Sequence, residues 1–225
     1  MKCSFNHKFL ILFVLCIVSS NVFGQYTKWE KDITYNNIEF KKLRFRNDGN
    51  ESVFANGILK QKTVIEDYPC YKMVFLSKEG RLKIFILAED FEVAGNKFKK
   101  ETRIAIGRNN GFHINCLYES EVQGYQIRRT NYKRLLFMGS TNFQLYPSGK
   151  LKFFQPVNEI EIQGVWCKPS AVRGGVSLYE NGKLKECTSA NEQKIQGQLV
   201  SENFTLKFNE TGKLIYAKKE KIFGD

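Results

Sequence analysis

Four segments of this chain carry one eight-residue pattern built around a glycine: Leu76-Ser77-Lys78-Glu79-Gly80-Arg81-Leu82-Lys83, Leu145-Tyr146-Pro147-Ser148-Gly149-Lys150-Leu151-Lys152, Leu178-Tyr179-Glu180-Asn181-Gly182-Lys183-Leu184-Lys185 and Phe208-Asn209-Glu210-Thr211-Gly212-Lys213-Leu214-Ile215. Four and six places before the glycine stand Leu76 and Val74, Leu145 and Phe143, Leu178 and Val176, Phe208 and Leu206, all apolar. Two and four places after it come Leu82 and Ile84, Leu151 and Phe153, Leu184 and Glu186, Leu214 and Tyr216. Alternation on both sides of a glycine is the signature of a β-hairpin, because successive strand side chains point to opposite faces and glycine reaches the positive φ of a tight turn. Only Glu186 breaks the alternation.

A second glycine follows the first by fifteen residues in three copies, at Gly95, Gly164 and Gly197, each two places after Val93, Ile162 or Ile195. Val122-Gln123-Gly124 matches this element, with Asn110-Gly111 as a shifted turn before it, and Ala55-Asn56-Gly57 reads as a weaker first copy. The expected turn glycines are therefore Gly57, Gly80, Gly111, Gly149, Gly182 and Gly212, and the second glycines Gly95, Gly124, Gly164 and Gly197, each expected to end a short strand or turn the chain into the next copy. One hairpin cannot bury its own apolar face, so neighbouring copies must share a core. The fold class is all-β: an array of antiparallel hairpins in an extended meander or solenoid-like sheet, with a closed barrel or sandwich as the alternative.

The front of the chain reads differently. Lys2 and Lys8, an apolar run from Phe9 to Val18 and the small-residue end at Gly24 form a secretory signal over residues 1–24, with cleavage expected before Gln25. The run is too short for a bilayer core, which needs about 20 apolar residues, and no later segment is apolar enough to span one. The expected organisation is a signal peptide (1–24), N-terminal capping strands (25–50), a single hairpin-repeat domain (51–217) and a charged tail (218–225). Such a protein is exported to the periplasm or beyond.

The formal charge is +12, and removing the two signal lysines leaves +10. A basic exported protein suits an anionic envelope component or another protein as partner; most lysines are dispersed, with denser stretches at Lys97 to Lys100 and Gln126 to Arg134, and nucleic acid is not the expected partner outside the cell. Four cysteines remain after cleavage: Cys70, Cys116, Cys167 and Cys187. Their spacing excludes a CxxC motif or a paired-cysteine zinc site. They are either buried thiols at packing positions or two disulfides, Cys167 to Cys187 and Cys70 to Cys116.

The core Leu/Phe-Tyr-x-Asn/Ser-Gly-Lys-Leu-Lys with its following Ile-x-Gly, strongest between Phe143 and Gly197, resembles the variant MORN-type repeats of bacterial proteins. It departs from the standard MORN repeat, whose Gly-x-Trp-x-x-Gly pattern is absent. The resemblance implies a hairpin array used for binding or scaffolding and carries no catalytic residue across.

Chemistry beyond that is sparse. His113 is the only histidine after the signal, which gives neither a Ser-His-Asp triad nor a multi-histidine metal site much to draw on. Glu89 with Asp90, or Glu159 with Glu161, are the nearest carboxylate pairs for a hydrolase, and they fall in bends where solvated acids are expected. No catalytic, cofactor or metal residue is assigned. Tyr146, Tyr179 and Phe154 form the candidate contact stripe if strand-face aromatics align between copies. The leading expectation is a non-catalytic binding or scaffolding module of the bacterial envelope; an immunity-type inhibitor of a partner protein and an envelope-polymer hydrolase are the alternatives.

Overall fold

The computed structural model describes residues 26–46, 54–129, 143–169 and 175–219. The expected signal peptide lies outside the described residues, as do residues 130–134 of the basic stretch and 220–225 of the tail. All regular structure in the described residues is β. In chain order the strands are β1 (Glu30–Tyr35), β2 (Ile38–Phe45), β3 (Ala55–Leu59), β4 (Thr63–Ile65), β5 (Tyr68–Cys70), β6 (Met73–Leu76), β7 (Leu82–Ile86), β8 (Phe91–Val93), β9 (Asn96–Phe98), β10 (Arg103–Ile106), β11 (Phe112–Asn115) and β12 (Ser120–Val122). They continue as β13 (Tyr125–Ile127), β14 (Phe143–Leu145), β15 (Leu151–Phe154), β16 (Ile160–Ile162), β17 (Val165–Cys167), β18 (Val176–Leu178), β19 (Leu184–Thr188), β20 (Gln193–Ile195), β21 (Gln198–Val200), β22 (Phe204–Phe208) and β23 (Leu214–Lys219).

Thirteen strands are hydrogen-bonded in the order β1-β2-β3-β6-β7-β10-β11-β14-β15-β18-β19-β22-β23, and the remaining ten form five separate two-stranded hairpins. The order follows the chain, so the sheet is an antiparallel meander; it is not closed into a barrel. The described residues cluster into two compact units, one holding residues up to Gln61 together with Lys72–Lys83, the other holding Lys62–Tyr71 and everything from Ile84 onward.

In the first unit β1 and β2 meet around Asn36 and Asn37, both at positive φ. Asparagine is the residue other than glycine that most readily accepts this conformation. Gly57 corrects a sequence expectation. It is a strand residue in the middle of β3, paired with Leu43 and Val74, and its φ is not positive. A Cβ there would lie 2.3 Å from the fully buried ring of Phe40, so the glycine makes room for that ring.

The second unit is two-layered. Long hairpins form the sheet, and the five short hairpins cover one of its faces. Each short hairpin has the same eight-position plan, with positions three and eight buried: Ile65 and Cys70, Val93 and Phe98, Val122 and Ile127, Ile162 and Cys167, Ile195 and Val200. These meet the sheet residues that are also buried, Phe85, Ile104, Ile114, Phe143, Phe154, Cys187 and Leu206. Ring contacts tie the layers together: Tyr68 to Phe85 at 4.8 Å, Phe98 to Phe143 at 5.7 Å, Tyr125 to Phe154 at 4.8 Å.

The second glycines sit at the tips of these hairpins rather than at strand ends. Ala94-Gly95, Gln123-Gly124, Gln163-Gly164 and Gln196-Gly197 each have positive φ at both residues, the type I′ turn of a two-residue hairpin. Glu66-Asp67 makes the same turn without glycine, so the first short hairpin carries no glycine to mark it in the sequence. The end of a short hairpin then pairs with the chain just past a long one, by the bridges Cys70 to Leu87, Ile127 to Pro156 and Cys167 to Ser189.

The long-hairpin turns are wider, closed by hydrogen bonds such as Tyr146 N to Lys150 O and Tyr179 N to Lys183 O, with Gly149, Gly182 and Gly212 at positive φ. Gly111 corrects a second expectation: the equivalent turn runs from Gly107 to Gly111, and Asn110 carries the positive φ. Gly111 instead lets the backbone approach closely, since a Cβ there would stand 2.8 Å from Leu145 O.

A β-bulge explains Glu186. β14 and β15 pair Gln144 with Phe153 but Leu145 with Leu151, leaving Lys152 extra; β18–β19 and β22–β23 do the same around Lys185 and Ile215. An extra residue shifts the inward position from four after the glycine to five. Phe154 and Cys187 therefore enter the core, while Phe153 and Glu186 turn to the opposite face. β10 and β11 pair residue for residue, and there the inward positions are Phe112 and Ile114.

Glutamine in the short turn fastens each layer to the next. Gln123 Nε2 donates to Gly149 O at 2.8 Å and its Oε1 accepts from Leu151 N at 3.1 Å. Gln163 bridges Gly182 O and Leu184 N, and Gln196 bridges Gly212 O and Leu214 N, at 2.7 to 3.1 Å. One amide meets one donor and one acceptor of the following long turn, three times over. Replacing Gln163 by Ala removes two partly solvated hydrogen bonds and should cost about 1–2 kcal/mol, read as a lower urea midpoint with unchanged slope. Glutamate, which accepts from Leu184 N but cannot donate to Gly182 O, should not restore it.

Candidate binding face

With one face of the sheet covered by short hairpins, the side chains on the other are free to carry chemistry. The registers align them into one row of the second unit, Ile84, Ala105, His113, Gln144, Phe153, Ser177, Glu186, Lys207 and Tyr216, each on the strand next to the one before. Those from Ile84 to Glu186 are half-buried, and Lys207 and Tyr216 are exposed. Gly175 is placed where a Cβ would strike the Phe153 ring at 2.5 Å, so the glycine makes room for that ring against the neighbouring strand.

Beside this row the bulges direct lysines onto aromatic rings. Lys152 Nζ lies 5.5 Å from the centre of the Tyr146 ring, and Lys185 Nζ lies 5.3 Å from that of Tyr179. On the last hairpin Ile215 takes the bulge position, and the pairing moves one row along the strands: Lys207 and Lys218 approach the Tyr216 ring at 5.7 and 5.6 Å. Lysine over the negative face of an aromatic ring is a weak attraction at exposed sites, about 0.5–1 kcal/mol. Its consequence here is position. The tyrosines are fixed in turn, since Tyr146 Oη donates to Leu178 O at 2.9 Å and Tyr179 Oη to Phe208 O at 2.8 Å, each on the next long hairpin. Burial raises the Tyr146 pKa, with Glu180 adding to the effect, so its hydroxyl stays protonated and donating.

The charges on this face are mostly positive. Glu186 is paired with Lys207 at 3.4 Å, both about half exposed, and Lys150, Lys183 and Lys213 line the turns above. Of the expected contact stripe, Tyr146 and Tyr179 lie on this face, whereas Phe154 is fully buried and Phe153 takes its place.

The carboxylate pairs considered for hydrolysis lie elsewhere. Glu89 is exposed and faces Lys62 at 3.8 Å. Asp90 is held by Lys99 at 2.8 Å and by Lys100 N at 2.9 Å; these bonds lower its pKa, and it borders an open groove of about 580 Å³ with Tyr118 and Glu119. Glu159 and Glu161 are exposed, and Glu161 stands opposite Trp166 across its hairpin.

The four cysteines among the described residues are free and buried. Burial pushes the Cys70 thiol up to about 12, and Cys116 is raised for the same reason. Cys167 is raised first by the hydrogen bond it shares with the Cys187 thiol, then by burial. Cys70 stands beside Leu87, Leu87 N bonds Thr102 O, and Thr102 Oγ1 meets Cys116 Sγ at 3.9 Å. Three strand spacings, about 14 Å, therefore separate Cys70 from Cys116, twice the reach of a disulfide. No family model, curated protein or solved structure matches this chain. The fold and this face define an all-β hairpin meander with one covered and one basic, aromatic side.

Two measurements follow from these groups. With residues 1–24 removed, an alkylating reagent at pH 8 should leave the native thiols unlabelled and add four labels after unfolding without reductant; two labels would mean a Cys167–Cys187 bridge. His113 has its pKa lowered by burial and then by Lys152, so the fold favours neutral imidazole. That contribution is present above the ordinary histidine pKa and is lost as pH falls through it toward the lower folded value. Between about pH 7 and 5 the wild type should lose more stability in urea titrations than His113→Gln.

Proposed function

We propose that this chain is a non-catalytic, exported repeat module of MORN-like type that binds an anionic component of the bacterial envelope through the uncovered face of its sheet. The observation that carries the reading is the run of lysines set over tyrosine rings on successive long hairpins, Lys152 with Tyr146, Lys185 with Tyr179, and Lys207 and Lys218 with Tyr216. A net charge of +12, or +10 without the two lysines of the expected signal, draws anions toward the molecule, and this face gives them fixed partners. The secretory signal at residues 1–24 supports the compartment, and the hairpin pattern from Phe143 to Gly197 supports the kinship.

The test is retention of envelope material by the purified mature protein at low and high salt. Wild type should hold an anionic fraction at low salt and release it at high salt, as screened contacts do. The Lys152→Glu, Lys185→Glu double variant should lose that retention. Lys97→Glu with Lys194→Glu, the same charge change on the short-hairpin layer, should keep most of it. Equal behaviour of the two double variants, both folded by urea titration, would overturn the assignment to this face.

A further inference from the structure

The last long hairpin ends in a strand that is shaped like an interior one. Among the described residues β23 (Leu214–Lys219) is paired on one side only, to β22. Its counterparts β7, β15 and β19 each receive a further antiparallel strand at the same place, five residues after the turn glycine: Phe85 faces Ile104, Phe154 faces Val176, and Cys187 faces Leu206. The corresponding residue of β23 is Ala217. Bonded and non-bonded pairs alternate along an antiparallel ladder. Ser189 N bonds Phe204 O, two residues along both strands from Cys187 and Leu206, so Leu206 turns its N–H and C=O toward β19, and Thr205 and Lys207 turn theirs toward β23. Their partners Lys218 and Tyr216 are therefore the bonded residues of β23, and Ala217 points its own N–H and C=O to the open side. The same alternation, with Leu87 N on Thr102 O, makes Phe85 and Ile104 a bonded pair. The open groups of Ala217 thus stand where the array elsewhere bonds its next strand.

The side chains around this edge define what fits it. On the covered face the residues opposite the equivalent positions are Ile104, Val176 and Leu206, all buried. Ala217 is smaller than Phe85 or Phe154 and only half-buried, which leaves the place beside it to a large apolar side chain. Ile215, 62% exposed, and Tyr216, 40% exposed, add apolar surface at the same edge. On the uncovered face Lys207 and Lys218 lie 5.7 and 5.6 Å from the Tyr216 ring. One strand further in, the same row sets a carboxylate against a lysine, Glu186 to Lys207 at 3.4 Å. Lysines on an exposed edge oppose pairing with a like edge, and a second β23 in the register of the array would set Ala217 against Ala217 and leave the apolar place unfilled. Going beyond the anion-binding face proposed above, we infer that β23 docks an extended segment of an acidic partner protein, added antiparallel as a further strand with a large apolar side chain opposite Ala217 and carboxylates opposite Tyr216 and Lys218. Such an addition draws its affinity from main-chain bonds and its specificity from alternate side chains.

NMR titration of the purified, isotope-labelled mature protein with a blocked peptide whose core is Thr-Glu-Leu-Glu-Thr tests this. On binding, the amides of Ala217 and Lys219 should shift and gain protection from hydrogen exchange, while those of Tyr216 and Lys218, already turned to β22, should keep the protection they had. A peptide of the same composition ordered Glu-Thr-Leu-Thr-Glu, which moves the carboxylates off those two positions, should bind about tenfold more weakly. Ala217→Pro removes the outward N–H without touching the β22 ladder, and should abolish binding in protein that urea titration shows to be folded. Lys218→Glu, a surface change that does not depend on the proline being tolerated, should weaken binding about tenfold or more. Lys152→Glu with Lys185→Glu should change it little, so the edge and the anion-binding face fail separately. Equal binding of the two peptides, or equal binding by wild type and both edge variants, would overturn the inference. Protection of Ala217 that rises with protein concentration in the absence of peptide would overturn the choice of partner in favour of a second copy.

Discussion

A two-stranded hairpin has one apolar face and nothing of its own to bury it against, and the rest of this structure follows from that shortage. The second unit meets it by alternating two kinds of hairpin along the chain. Long ones build the sheet; short ones fold back over it and supply Ile65, Val93, Val122, Ile162 and Ile195 from above. Each buried side chain removes apolar area worth roughly 25 cal/mol per Å², and neither layer could realise that gain alone. The glutamine bridges matter because they set where one layer lies on the next. The side chains of Gln123, Gln163 and Gln196 each meet a carbonyl and an amide of the following long turn at once, and Asn96 Nδ2 adds a second donor to Gly149 O at 2.9 Å.

Covering one face of the sheet also decides what the other can do. The covered face accepts only shape-matched apolar groups, which is why cysteine there behaves as a small hydrophobe: Cys187 occupies the place of Phe85 and Phe154, and Cys167 that of Phe98, Ile127 and Val200. The uncovered face is released from that demand. The bulges that send Phe154 and Cys187 inward are the same irregularities that place Lys152 and Lys185 as extra residues over Tyr146 and Tyr179. One local device thus serves the core and the surface together.

How much of this was legible in the sequence depends on whether the signal was a residue type or a conformation. The long hairpins were readable because strand alternation and a turn glycine are both properties of residue type, and the open all-β meander followed from them. Gly57 misled because glycine answers two different needs: a positive φ at Gly149, and an absent Cβ beneath Phe40. The converse error hid Glu66-Asp67 and Asn110, where other residues adopt the conformation that glycine usually marks. Strict alternation placed Phe153 in the core and made Glu186 an exception, because a bulge leaves no compositional trace in one copy. The fifteen-residue interval between glycines in three copies, against fourteen from Asn110 to Gly124, was the trace it left between copies.

The candidate face was harder to read than the fold because its chemistry is divided among residues that look ordinary one at a time. A lysine three places after a glycine is a common solvated side chain, and a tyrosine three places before it is a common strand residue. Their meeting depends on the bulge, and the meeting of successive pairs depends on hydroxyl bonds to carbonyls 32 and 29 residues further along. Those bonds hold the rings at the interval of the backbone, so a lysine resting on such a ring loses less freedom on binding an anion than one on an unsupported stem. The same logic separates this run from the dispersed lysines of the short-hairpin layer. Lys97 and Lys194 contribute to the net charge and hence to encounter, whereas Lys152 and Lys185 rest on rings whose positions are set by bonds to the next hairpin.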